Sequence, residues 1–236
     1  MKRYAILVIL FALTATAQTA NSPSAGAVQT YTNPELHLTF AYPAELKPLD
    51  ASHVAAEGRR LIYGEDTTPD SDQSKLPDCT KPLLAVGMGR APGSSTGAGA
   101  SIVLFRVDPR CVPAKALKNQ KAIGPFLRNV TRQGVTFLGM APIGDPMFYE
   151  LQEHRVCFAA AQGTPVTQSD LQTSGSELTA VVAALVNGQV VAWMIEADSL
   201  AAFNRLLASQ VDFGAGKPQA LYPVSFSAPA GGPEGP

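Results

Sequence analysis

Three kinds of side chain in this sequence could carry chemistry: thiols, imidazoles, and grouped charges. The thiols are Cys79, Cys111 and Cys157. In an oxidising compartment an odd count gives one pair and one spare, or no pair. The imidazoles are His37, His53 and His154. None is spaced with another His or with a Glu as a zinc pair such as H-E-x-x-H requires. The segment from Glu65 to Asp72 holds four carboxylates, Glu65, Asp66, Asp70 and Asp72. Calcium prefers such ligands, but the EF-hand spacing is absent and Pro69 interrupts the run, so it reads as a solvated acidic loop. No nucleophile elbow, P-loop or dinucleotide fingerprint lies between a strand and a helix. No catalytic, metal-binding or cofactor-binding residue follows from these patterns, and no cofactor is expected.

Charge is segregated. From Pro109 to Gly144 the basic residues are Arg110, Lys115, Lys118, Lys121, Arg128 and Arg132, with no acidic residue among them. Lys115, Lys118 and Lys121 are three apart, which on a helix makes one ridge. Such a ridge could meet an anionic lipid head group, a glycan or an acidic partner. Three charges attract only modestly across physiological salt, so a helix's wet face is the plainer reading. The expected partner is an envelope protein or an anionic surface. A nucleic-acid partner is not expected. Of 18 Lys and Arg, two lie in an N-terminal export segment, leaving 16 against 19 acidic residues. That balance excludes a generally basic nucleic-acid binder.

The export segment is Met1-Lys2-Arg3, an apolar run from Tyr4 to Leu13, then Thr14-Ala15-Thr16-Ala17-Gln18. This is the layout of a cleavable signal peptide, residues 1–17, with Ala15 and Ala17 at the −3 and −1 positions. The apolar run is too short for a bilayer-spanning helix. Secretion or a periplasmic location is the expectation, with residues 18–29 a disordered leader and no membrane span in the mature chain.

Elements must then position the charged and thiol groups. Leu36, Leu38, Phe40 and Tyr42 alternate with His37, Thr39 and Ala41. That period of two predicts a half-buried strand with His37 on its polar face. Residues 52–60 suggest a short helix and Leu61-Ile62-Tyr63 a short strand. Residues 82–88 and 100–107 read as a hairpin around a loop centred on Ser95. Opposed residues would then sum to 190 in position, as Cys79 and Cys111 do, and Leu83, Ala85 and Gly87 would face Val107, Phe105 and Val103. A Cys79–Cys111 disulfide follows, contributing roughly 3–4 kcal/mol in the loop-entropy model. Cys157, in the apolar run Val156–Ala159, reads as a buried small hydrophobe.

Pro113 predicts the start of a helix that is interrupted at Gly124-Pro125 and resumes to Arg132. Residues 135–138 and 146–161 read as strands, the second long or interrupted. Leu178–Val186 and Gln189–Glu196 are apolar at nearly every position and flank Asn187-Gly188. That is the signature of a type I′ hairpin of two central strands. Asp198 is placed to cap a helix whose apolar stripe is Leu200, Phe203, Leu206 and Leu207. Val211–Phe213 closes the domain, and the Gly- and Pro-rich stretch 214–236 reads as a disordered tail. Hairpins with helices between and after them describe one α+β domain, residues 30–213, an antiparallel sheet with helices packed on it.

Two stretches resemble the PsbP-like fold family, named for an extrinsic protein of the photosystem II oxygen-evolving complex. Tyr31-Thr32-Asn33 with Leu36–Pro43 resembles its opening hairpin, and Leu178–Phe213 resembles its closing hairpin, helix and strand. The resemblance implies a fold, and a non-catalytic binding or assembly module of the cell envelope. An envelope hydrolase with a spatially assembled site is the alternative, to be built from groups such as His37, His53, Asp145, His154 and Cys157.

Overall fold

The computed structural model describes residues 26–49, 58–59, 61–63, 78–88, 99–136, 140–163 and 177–227. The first strands are β1 (Val28–Asn33), β2 (Leu38–Pro43) and β3 (Lys47–Pro48), followed by β4 (Thr80–Met88) and β5 (Ala100–Val107). After α1 (Gly124–Gly134) come β6 (Met140–Pro142), β7 (Met147–Leu151), β8 (His154–Gly163), β9 (Glu177–Val186) and β10 (Gln189–Ala197). Helix α2 (Leu200–Leu207), β11 (Gln210–Asp212) and β12 (Gln219–Ala220) complete the order.

All pairings are antiparallel. The large sheet runs β3-β4-β5-β10-β9-β8, and both β6 and β7 pair with the far edge of β8. The small sheet runs β1-β2-β11-β12. This is a sheet-dominated α+β architecture.

The centre of the large sheet is buried on both faces, as expected of β9 and β10. Along β9, side chains alternate between two cores: Val182, Ala184 and Val186 face one, Val181, Ala183 and Leu185 the other. The first core lies under the small sheet and α2, where Phe40, Phe213, Phe203 and Tyr222 meet Trp193 and Phe158. The second lies under α1 and the turns before it, with Leu127, Val130 and Ile123 against Ala183, Ala192 and Val103. The β9–β10 turn has Asn187 at φ +48° and Gly188 at φ +74°, the two positive angles that a type I′ turn demands.

Several sequence expectations change. His37 is not on a strand: it is exposed and ends the turn Pro34–His37 with φ +50°, and β2 begins only at Leu38. Asn33 causes this, because its side-chain oxygen accepts the Leu36 N–H at 3.1 Å and wraps the chain into a turn. Leu61, Ile62 and Tyr63 are helical rather than extended. Residues 113–123 form no α-helix. After a 3₁₀ turn at Pro109–Cys111 they make a second at Ala116–Lys118, then a turn held by Asn119 Oδ1, which accepts from Lys121 N at 3.0 Å and Ala122 N at 2.8 Å. The Asn side chain takes donors that a continuing helix would send to carbonyls. Gly124-Pro125 starts α1 instead of interrupting it, with Pro in the first turn where its missing N–H costs nothing.

The segment 146–161 is a hairpin, β7–β8, turning at Gln152 (φ +49°) and Glu153 (φ +66°). Val135 and Thr136 are not strand. Ser199, not Asp198, caps α2: its hydroxyl accepts from Ala202 N at 3.2 Å, whereas Asp198 accepts from Gly99 N at 2.7 Å. Leu200 points to solvent and leaves Phe203, Leu206 and Leu207 as the buried stripe.

The domain limits also move. The leader gives way to β1 at Val28. The stretch after 213 is part of the fold as far as 227: Leu221, Tyr222 and Phe226 lie in the first core, and Asn204 pins Phe226 through both its backbone N–H (2.6 Å) and carbonyl (2.9 Å). Three apolar side chains outweigh the surrounding Gly and Pro, because each buried one contributes about 1.5–3 kcal/mol. The signal segment 1–17, residues 18–25, the proposed helix over 52–57, the acidic loop, His53, the hairpin loop 91–98, residues 137–138 and the tail from 228 lie outside the described residues.

Candidate functional site

Cys79 and Cys111 form a disulfide with Cα atoms 5.8 Å apart. The register that suggested it is different. Ala85 faces Val103 rather than Phe105, a bulge falls at Leu83, and Pro82 then faces Phe105. Asp108 N donates to Cys79 O at 2.7 Å, and the 3₁₀ turn Pro109–Cys111 folds Cys111 back beside Cys79. A bulge and a turn thus replace a straight ladder.

Beside the bridge lies a cleft of about 330 Å³ lined by Asp78, Thr80, Lys81, Pro82, Arg106, Asp108 and Pro109. Its guanidinium Arg106 is engaged, 2.9 Å from Glu35. Arg110, next in the same turn, is paired with Asp108 at 2.6 Å. That pairing holds the Asp108 carboxyl down to about 2, chiefly through the Arg110 side-chain hydrogen bond.

The second cleft, about 390 Å³, lies where the β7–β8 hairpin meets the turn before α1. Gln120, Lys121, Phe148, Tyr149, Glu150, Glu153 and Arg155 line it. Gln120 locks the two walls together. Its amide donates to Leu185 O at 3.0 Å and lies 3.4 Å from His154 Nδ1, while its oxygen accepts from Arg155 N at 3.2 Å. The Phe148 ring is flanked by two guanidiniums, Arg155 at 4.2 Å and Arg128 at 5.4 Å from the ring centroid. Glu150 faces Arg155 across the hairpin, yet Arg155 turns onto the ring and makes no ion pair with it among the described residues. Cation–π attraction of this kind contributes about 0.5–2 kcal/mol and leaves the guanidinium edge open to an anion.

The cleft's own lining carries both signs, Lys121 and Arg155 against Glu150 and Glu153, whereas the stretch from Pro109 to Gly144 that supplies one wall carries only basic residues. Lys115, Lys118, Lys121, Arg128 and Arg132 are all exposed, and none is ion-paired among the described residues. No acidic residue occupies the first turn of α1, so the partial positive charge of the helix start adds to theirs. The three lysines are presented by turns rather than by one α-helical face.

Among the described residues, His37, Asp145, His154 and Cys157 are not brought together. His154 Nδ1 lies 2.9 Å from Leu185 O, and its ring packs edge-on to Phe213 at 4.7 Å. Cys157 is fully buried and unpaired, with Thr131 Oγ1 3.3 Å from its sulfur. Burial pushes its thiol up, more than the Thr131 hydrogen bond and the nearby Arg128 and Arg155 lower it, so thiolate chemistry is disfavoured there. Asp145 is exposed in the link between β6 and β7. No hydrogen bond joins any two of His37, Asp145, His154 and Cys157 among the described residues, and none of the clusters there offers three metal-ligand side chains.

The Arg155–Phe148–Arg128 stack was beyond sequence reasoning because it depends on the β7–β8 turn. Its only sequence signal was the run of cations without anions. No protein-family model matches the chain, and no curated protein matches it. No helix of the described residues is long and apolar enough to cross a membrane.

Proposed function

We propose that this is an exported, non-catalytic binding module of the cell envelope with a PsbP-like fold, which engages an anionic surface through the exposed basic residues of the stretch from Pro109 to Gly144. The observation that carries this is the set of exposed cations Lys115, Lys118, Lys121, Arg128 and Arg132, none ion-paired among the described residues, in a stretch without an acidic residue and in a chain whose overall charge is slightly negative. The opening hairpin β1–β2 and the closing series β9–β10–α2–β11 support the fold assignment, and the Met1–Ala17 pattern supports export.

Vesicles test the binding. The protein should co-sediment with phosphatidylglycerol vesicles at low salt and not with phosphatidylcholine vesicles. Near an anionic membrane each cation contributes roughly 1 kcal/mol, so Lys115→Glu, Lys118→Glu and Lys121→Glu together should weaken binding more than about 100-fold. Equal binding of native and triply reversed protein, with unchanged unfolding midpoints, would sink the reading. Export is tested separately: N-terminal sequencing of the accumulated protein should begin at Gln18, and an intact Met1 would overturn it.

A further inference from the structure

Every sheet edge among the described residues but one is guarded. The outer edge of β4 beyond β3 carries Lys81, Pro82 and the bulge at Leu83. Strand β3 is two residues, Lys47-Pro48. At the far side, β6 is three residues ending in Pro142, and β7 follows Pro146 and carries Glu150. Strand β12 is two residues behind Lys217-Pro218. Charge, proline, bulges and shortness are the devices by which native sheets avoid edge pairing. Strand β1 has none of them. Its six residues, Val-Gln-Thr-Tyr-Thr-Asn, contain no charge, Pro or Gly, and its register with β2 is unbroken from Val28↔Pro43 to Asn33↔Leu38.

The direction of its free backbone groups follows from the ladder. Ala44 N donates to Ala27 O. In an antiparallel pair, N–H and C=O of one residue point to the same side, and sides alternate. Residues 27, 29, 31 and 33 therefore face β2, and Val28, Thr30 and Thr32 direct their N–H and C=O groups to the open edge. Pro43, opposite Val28, has no N–H to offer β1, in agreement.

We infer that β1 is the pairing edge of a two-fold dimer of this chain, joining two small sheets into one continuous eight-stranded sheet. A second copy is the occupant that the strand itself selects: neutral along its length, it neither repels its own copy nor presents a charge that would choose another partner. A two-fold axis normal to the sheet keeps each side chain on its face, so opposed positions must share parity. Centred on Thr30, the pairing sets Thr30 against Thr30 and Val28 against Thr32 of the other copy. All of these are β-branched on the wet face, a favourable cross-strand combination. The three outward residues of each copy then exchange about six main-chain hydrogen bonds. Strand pairing alone buries less than the roughly 1,200 Å² of a standard interface, so the dimer is weak, with Kd on the order of 10 µM or above.

Sedimentation equilibrium of the purified protein tests this. The native chain should pass from monomer to dimer between low and several-hundred-micromolar concentration. Thr30 is exposed, so Thr30→Lys should keep the unfolding midpoint but set two ammonium groups against each other at the axis, and stay monomeric. Thr30→Glu should do the same. Mixing the two variants should restore dimerisation, because Lys then faces Glu. A native chain that stays monomeric throughout, a Thr30→Lys variant that dimerises like the native chain, or a mixture that stays monomeric would each overturn the inference.

Discussion

The two faces of the large sheet are covered in opposite ways. On the first face the cover is thick and aromatic, and it is assembled from the two ends of the domain: β1–β2 from one, α2 and residues 210–226 from the other. On the second face the cover is mostly one stretch, the turns and α1 from Val112 to Val135, joined by Leu61, over a floor that includes Ala159, Ala161, Ala183, Ala192 and Cys157. Small floor residues let a helix approach closely; large ones demand a second layer with its own cavity to fill. On β8 and β10 the alternate side chains differ in this way: Phe158 and Trp193 face the first cover, Cys157, Ala159 and Ala192 the second.

The sharpest way to break that contrast is to remove the far end of the first cover. Ending the chain after Phe213 deletes Leu221, Tyr222 and Phe226, and burial of three such side chains corresponds to roughly 5–9 kcal/mol. Denaturant unfolding should show loss of the cooperative transition; a truncated chain as stable as the native one would mean that the first face closes without them. Next in size is the staple of the second cover. The Cys79–Cys111 bridge anchors the turn that leads into that stretch, and its sequence separation of 32 corresponds to roughly 3–4 kcal/mol in the loop-entropy model. Reduction, or Cys79→Ala with Cys111→Ala, should lower the unfolding free energy by about that amount.

Gly134→Ala addresses the close approach directly. A Cβ there would stand 2.7 Å from Val181 Cγ2 and 2.8 Å from Leu61 Cδ2. On an open helix face this change stabilises by about 0.5–1 kcal/mol, whereas overpacking costs about 1–3 kcal/mol. Destabilisation is expected, and a stabilised variant would show that α1 has room to lift. Ser199→Ala removes the cap of α2 on the first face and should cost about 1 kcal/mol, again by denaturant titration. The smallest effect is a pH dependence at the foot of the staple. The Asp108 carboxyl, held at about 2 by Arg110, gives stability that is full above the ordinary carboxylate range near 4 and is lost as pH falls toward 2. The stability difference between native and Asp108→Asn protein should therefore narrow over that acid interval and stay flat above it.

The legible parts of the fold were those whose signals are local. Asn187-Gly188 announced its hairpin because both residues tolerate positive φ, and the apolar runs beside it announced central strands. The Gln152-Glu153 turn makes the same shape with residues that do not advertise it, so the β7–β8 hairpin, and with it Phe148 beside Arg155, was not legible. The cysteine pairing was legible although its register was not, because the bulge at Leu83 and the 3₁₀ turn at Pro109–Cys111 compensate for each other along the ladder. The lysine ridge was visible as composition, but its helix was not there to carry it, since Asn119 diverts the chain into turns. The place of the stretch 214–227 is not legible because Gly and Pro dominate its composition while only Leu221, Tyr222 and Phe226 decide it.

That tail has a consequence in time. The first face joins a strand that starts at residue 28 to side chains as late as residue 226. Contacts so distant in sequence form late, after the entropy of closing the intervening loop has been met. A chain delivered N-terminus first can complete the helix-covered face while it is still being made. It cannot lock the aromatic face until Phe226 has emerged, so that face stays pliable well after the helix-covered one can close.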